Sequence, residues 1–194
     1  MGRSRAAQYG LVCAFVALAT PAAAFSAIDP LTRQPLYAEE DALKAQAAPI
    51  QREIVAYDGR YAPGTIVVST RERHLYYVIG NGQAIRYGVG VGRPGFEWGG
   101  AHSVTMKREW PDWRPPAAML KRRPDLPRYM KGGPDNPLGA RALYIGSTIY
   151  RIHGSNEPET IGEAVSSGCI RMTNEDVMDL YNRAKVGARV IVQR

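Results

Sequence analysis

The chain has 194 residues, with 25 Lys and Arg against 18 Asp and Glu, a net charge of +7. That length fits one domain, or one domain with a tail. The basic excess contains no long basic run and no recognisable nucleic-acid motif. It excludes a nucleic-acid reader and is accounted for by solubility, although a modest positive charge also suits an anionic polymer or a membrane surface. Residues 1–24 read as a secretory signal: Arg3 and Arg5 supply the positive start, and Leu11 to Ala19 is an apolar run too short to span a bilayer comfortably. Thr20-Pro21-Ala22-Ala23-Ala24 ends it with small residues, so cleavage is expected after Ala24; the alternative is a retained anchor. Cys13 would leave with the signal, and the mature chain would carry 23 basic and 18 acidic residues. Cys169 would then stand alone in an oxidising, periplasmic compartment, unable to form an internal disulfide.

Residues 25–63 read as an N-terminal arm, partly ordered. Pro30, Pro35, Pro49 and Pro63 interrupt it, Glu39 to Gln46 is a candidate short helix, and Gln51 to Tyr57 a candidate added strand. The domain proper, 64–194, opens with the β-branched Thr65 to Ser69, then His74 to Ile79 and Gln83 to Val91 around Asn81-Gly82. Asn-Gly is the strongest short hairpin signal, because a type I′ turn needs positive φ at both positions. Gly92 to Gly100 is a loop with Phe96 and Trp98 either exposed or tucked beneath it, and Ala101 to Lys107 is a strand. Neither His74 nor His102 has metal-ligand spacing to an Asp, Glu or Cys, so both are assigned as structural or surface residues, and no metal or cofactor is expected. Trp110 to Pro137 holds seven prolines with a short helical stretch at Ala117 to Arg122; a loop this long reads as a cap over a groove.

Leu138 to Ile145 and Thr148 to His153 read as two strands. Alternation puts Ile149, Arg151 and His153 on one face, with His153 ending its strand where it can lean into a cleft. Glu157 to Gly162 reads as a helical turn. Thr173-Asn174-Glu175-Asp176 is a capped helix start, followed by an apolar stripe at Val177, Leu180, Tyr181 and Ala184, a stop at Gly187 and a closing strand Ala188 to Val192. The expected fold is mainly β: an antiparallel sandwich or flattened barrel with one main helix and a long capping loop.

The chemistry gathers at Ser166-Ser167-Gly168-Cys169-Ile170-Arg171-Met172, with His153-Gly154 sixteen residues before the cysteine. A lone cysteine is often only a small buried hydrophobe. A Ser-Gly pair before it and an Arg after it break the continuous apolar run of a core strand, and favour a thiol nucleophile with a histidine base. Gly168 leaves room for a carbonyl, and the Gly168 and Cys169 amides are candidate oxyanion donors. Arg171, two residues on, falls on the face of the thiol in an extended segment.

His153-Gly154 followed by Ser166 to Met172 resembles the active-site signature of the L,D-transpeptidases, the YkuD-type domain, over about Gly64 to Val192. The family often has a second histidine where this chain has Ser167. The resemblance implies Cys169 as nucleophile, His153 as base, Gly154 supplying a backbone carbonyl to orient the imidazole, and Gly168 and Ser167 in oxyanion or orienting roles. It implies a substrate as well, the peptidoglycan tetrapeptide stem, cut after its third residue. The acceptor would be another stem's amine (a 3→3 crosslink), an outer-membrane protein's amine, or water, which would make a carboxypeptidase. Arg171 either binds a stem carboxylate or pairs with an acid to brace the loop. A non-enzymatic wall-binding module of the same fold would not require the His153/Cys169 pair, and a papain-like or NlpC-type peptidase usually has its cysteine before its histidine.

Overall fold

The computed structural model describes residues 50–194. The signal, its cleavage site, Cys13 and the helix expected at 39–46 lie outside the described residues. The rest is built on strands: β1 (Glu53–Ala56), β2 (Ile66–Ser69), β3 (His74–Gly80), β4 (Gln83–Gly88), β5 (Val91–Gly92), β6 (Gly100–Glu109), β7 (Arg141–Ile145), β8 (Arg151–His153), β9 (Ala164–Ser166), β10 (Ile170–Arg171) and β11 (Arg189–Gln193). Two helices accompany them, α1 (Ala117–Arg122) and the longer α2 (Asn174–Arg183), with a 3-10 turn at Pro158–Thr160. Nine strands form one sheet in the order β1-β4-β3-β2-β11-β6-β7-β8-β10, and β5 pairs with β9 separately. Most pairings are antiparallel, as expected, but β2/β11, β8/β10 and β5/β9 are parallel. The strand expected near residues 51–57 is β1, which adds to the free edge of β4.

The hairpin is set by Asn81 and Gly82, both at positive φ (52° and 69°) as a type I′ turn requires. It carries β3 into β4, and β2 packs on the other side of β3. β2 is apolar at every position except its end and is buried on both faces: Ile66 and Val68 join the main core, whereas Val67 joins Val78 and Ile191 on the opposite face. That is why it reads as a continuous run instead of an alternation. The main core continues through Leu75, Tyr87, Leu143, Ile145, Ile152, Ile170 and Met172 and is closed by α2. On α2, Val177 and Leu180 are buried, the spacing that defines an inward stripe.

Thr173 caps α2, its Oγ1 accepting the Asp176 N–H at 3.1 Å. The helix ends at Arg183, before the expected stop at Gly187. The cause comes from β6: the Lys107 ammonium donates to the carbonyls of Tyr181 (2.5 Å) and Ala184 (2.8 Å), satisfying the terminal carbonyls and placing positive charge at the negative end of the helix.

Candidate active site

The parallel pairing of β8 with β10 sets the site. Ile170 stands opposite Ile152, and Arg171 opposite His153. Side chains alternate along a strand, and opposite residues share a face. Ile152 and Ile170 therefore point together into the core, where both are fully buried. On the other face the same register gathers Arg151, His153, Cys169 and Arg171, all of which line one cleft of about 380 Å³. Two same-face groupings legible separately in the sequence thus become one surface.

The cleft's far wall comes from the proline-rich segment. Trp113, Met119, Leu126, Met130 and Pro137 line it, so the long loop does cap the groove. The loop is held by reciprocal backbone bonds between Trp113 and Met130 (2.8 and 2.9 Å) and by the Asp112 carboxylate, which accepts the Gly132 N–H at 2.9 Å.

His153 is 4 % exposed. Its Nδ1 donates to the carbonyl of Gly154 at 2.5 Å, leaving Nε2 as the nitrogen able to take a proton. Gly154 is required by close packing: a Cβ there would sit 2.3 Å from Asn174 Oδ1, the atom that also accepts the Ala140 N–H at 2.8 Å. Burial pushes the imidazole down to about 3, with the nearby Arg171 and Arg151 charges acting in the same direction against the Gly154 bond. Burial also pushes the Cys169 thiol up; the Arg151 backbone N–H and the Arg151 and Arg171 charges work against that rise. Both shifts favour the uncharged forms, so the cleft holds a neutral imidazole and a neutral thiol at rest.

The turn before the sulfur is built by a residue that sequence reasoning left without a role. Ser166, 2 % exposed, donates its hydroxyl to the Cys169 carbonyl at 2.7 Å and accepts the Gly168 N–H at 3.0 Å. The Gly168 amide is therefore engaged within the turn. Gly168 sits at φ +107°, and a Cβ there would lie 2.4 Å from the Tyr150 ring. Tyr150 stacks on Trp98, with ring centroids 4.5 Å apart, and the Trp98 indole N–H donates to the Gly168 carbonyl at 2.6 Å. Trp98 is thus tucked beneath its loop.

Ser167 faces a cation: Arg93 Nη1 donates to its hydroxyl at 3.2 Å. Arg171 Nη1 donates to Glu157 Oε2 at 2.8 Å, and Thr160 Oγ1 lies 3.4 Å away, the bracing arrangement of the two considered. His74 Nδ1 lies 2.6 Å from the Glu72 carbonyl, and His102 packs edge-on against Trp98; neither lines the cleft.

Residues 63–192 match the YkuD family, described as the L,D-transpeptidase catalytic domain. The probable L,D-transpeptidase ErfK/SrfK of Escherichia coli is 39 % identical over 134 residues, 64 % of this chain and 42 % of that protein, so the match spans less than half of the relative's length. A Brucella melitensis crystal structure, named as a probable carnitine operon oxidoreductase, is 43 % identical and covers 77 % of this chain and 98 % of that one, with a TM-score of 0.52. The catalytic domain of the E. faecium L,D-transpeptidase, solved acylated by ertapenem, is 20 % identical over 70 % of this chain and 100 % of that one, TM-score 0.54, a likeness of fold. On the extent of the family match, the chain belongs to the L,D-transpeptidase (YkuD) catalytic-domain family.

Proposed function

We propose that the protein is an L,D-transpeptidase that transfers peptidoglycan stem peptides through a thioester on Cys169. The observation that carries this reading is the β8/β10 register, which puts a thiol and an oriented imidazole on one face of one cleft. As the thiol attacks the stem carbonyl, Sγ bonds to the carbonyl carbon and its proton passes to His153 Nε2. Negative charge then develops on the carbonyl oxygen, where the Cys169 N–H is the donor still available once Gly168 is committed to Ser166. The C–N bond breaks, and the leaving amine takes the proton from His153. A second amine then attacks the thioester, gives its proton to His153, and expels Cys169 as the thiol. A neutral resting imidazole suits the first step, since only the unprotonated ring can accept the proton.

The acceptor is a stem amine, giving 3→3 crosslinks, or a protein amine. An exported, periplasmic enzyme follows from a substrate that lies outside the cytoplasm. Ser167 orients the turn through Arg93, and Arg171 braces the 157–160 turn through Glu157, leaving stem carboxylates to other donors of the cleft.

Incubation with defined tetrapeptide muropeptides, read by mass spectrometry, tests this. Crosslinked dimers or protein-linked products are expected, with ertapenem adding its mass at Cys169. Cys169→Ala is expected to abolish both without lowering the unfolding midpoint. Turnover retained in that variant rules out the thioester, and tripeptide as the sole product assigns water as the acceptor.

A further inference from the structure

Three arginines line the cleft, Arg123, Arg151 and Arg171. Arg123 is paired with Asp125, and Arg171 with Glu157. Among the described residues Arg151 has no carboxylate partner. Its Nε is buried and without a hydrogen-bond acceptor, and its Nη1 reaches only the Ile149 carbonyl, at a long 3.4 Å. A guanidinium carries five N–H donors and no acceptor, so the buried Nε–H of this half-buried side chain, left without an acceptor, is an incomplete arrangement. The group beside it is the sulfur. Continuing the β8/β10 register by one residue sets Arg151 alongside Cys169, and both the Arg151 backbone N–H and its guanidinium act on the thiol.

We propose that Arg151 is the counter-cation of the nucleophile: its guanidinium supplies the positive charge against which Cys169 Sγ ionises as the thiol proton passes to His153. The inference rests on the acyl-transfer reading for its purpose but not for its measurement. It also addresses a difficulty in that reading. A buried imidazole that resists protonation cannot stabilise a thiolate as a preformed ion pair, so the charge has to come from elsewhere on the same face. The other charged groups facing the sulfur's cleft are Arg123, Asp135, His153, Glu157 and Arg171. Of the two other arginines, Arg171 also acts on the thiol, but its charge is shared with Glu157. The remaining Arg151 contact, its guanidinium 4.8 Å from the Tyr144 ring centroid, steadies the side chain without consuming its donors.

The test is the pH dependence of Cys169 alkylation by iodoacetamide, a neutral reagent, followed by intact mass on the full chain. No peptidoglycan is present, so failure of the proposed transfer and failure of Arg151's role register separately. R151Q and R151M, two neutral replacements of different shape, are expected to raise the midpoint by at least one pH unit, a tenfold slower reaction at any pH below it. R151K keeps the charge and is expected to recover most of the rate. R171Q is expected to shift the midpoint less than R151Q does. A purely structural role would lower the unfolding temperature and leave the midpoint in place. An unchanged midpoint in whichever neutral variant remains folded overturns the proposal, as does a larger shift in R171Q than in R151Q.

Discussion

Two of the parallel strand pairings sit in one sheet and carry opposite contents. Along β2/β11, Ile66, Val67 and Val68 face Val190, Ile191 and Val192, and none is more than 8 % exposed. Along β8/β10 only one face is of that kind, Ile152 with Ile170; the other carries Arg151, His153, Cys169 and Arg171. The difference follows from position. β2 and β11 are central, with core on both sides, so their facing residues Ile66 to Val68 and Val190 to Val192 are drawn toward apolar burial, and only the strand ends, Ser69, Arg189 and Gln193, are polar. β10 ends the sheet, and the face it shares with β8 is covered by the capping loop and the turn at Asn156 and Glu157, which leave a cleft between them and the strands. The same backbone device builds stability in one place and a reactive surface in the other, and the side chains on the second face decide which.

The largest expected effect is on the aliphatic pairing. Ile66 is fully buried against the main core, and Ile66→Ala removes methylene packing and leaves a cavity. A loss of about 2–5 kcal/mol in urea unfolding is expected. At temperatures where the variant is still folded, the alkylation rate of Cys169 should match the parent. If the thiol slows while the fold survives, the two pairings are coupled through β6 and β7 and the division drawn above fails.

A smaller effect is expected at the turn feeding β10. Ser166→Ala strands the Gly168 N–H and the Cys169 carbonyl, both bonded only through the serine hydroxyl. Leaving buried polar groups unpaired costs about 1–3 kcal/mol in unfolding experiments. Unlike the core substitution, this one should also lower muropeptide turnover in the folded protein, because the released turn no longer fixes the sulfur. Parental turnover together with parental stability would show that Trp98, through its bond to the Gly168 carbonyl, suffices to hold the turn.

What was legible in the sequence separates along the same line. The Asn81-Gly82 turn, the Thr173 cap and the Val177/Leu180 stripe are local patterns, and each appears where its spacing puts it. His153 and Cys169 were legible from residue type and from a motif. Arg93 and Trp98 were not, because their roles depend on contacts across the fold: Trp98 reaches a carbonyl 70 residues on, and Arg93 a hydroxyl 74 residues on. Ser166 acts locally, on Gly168 and Cys169, but residue type alone does not show that its hydroxyl closes that turn. Arg151 was visible only as a same-face neighbour of His153; its place beside the thiol needs the register of β10. The early end of α2 has the same origin, a lysine arriving from another strand. Arg171's pairing with Glu157, the contact that supports its bracing reading, is likewise visible only in the fold.

The gentlest probe of the comparison is pH, since it charges the reactive face and leaves the aliphatic pairing untouched. In the unfolded chain a histidine titrates near 6.5, whereas burial holds His153 down to about 3 in the fold. Between those values the unfolded state binds a proton that the folded state does not. Stability contributed by the neutral ring is therefore complete above pH 6.5 and is lost as pH falls toward about 3, by about 1.4 kcal/mol per pH unit through the middle of the window. Carboxylates titrate at the acid end, Asp179 held low by Arg183 and Asp176 pushed up by burial, so the His153 part is read as a difference. Urea midpoints of the parent and of His153→Gln are measured from pH 7 to pH 5, above most carboxylate titration. The parent should lose stability on acidification and the variant much less. Parallel curves would mean that the ring protonates without cost, which requires the β8/β10 face to be open to water rather than closed by the cap.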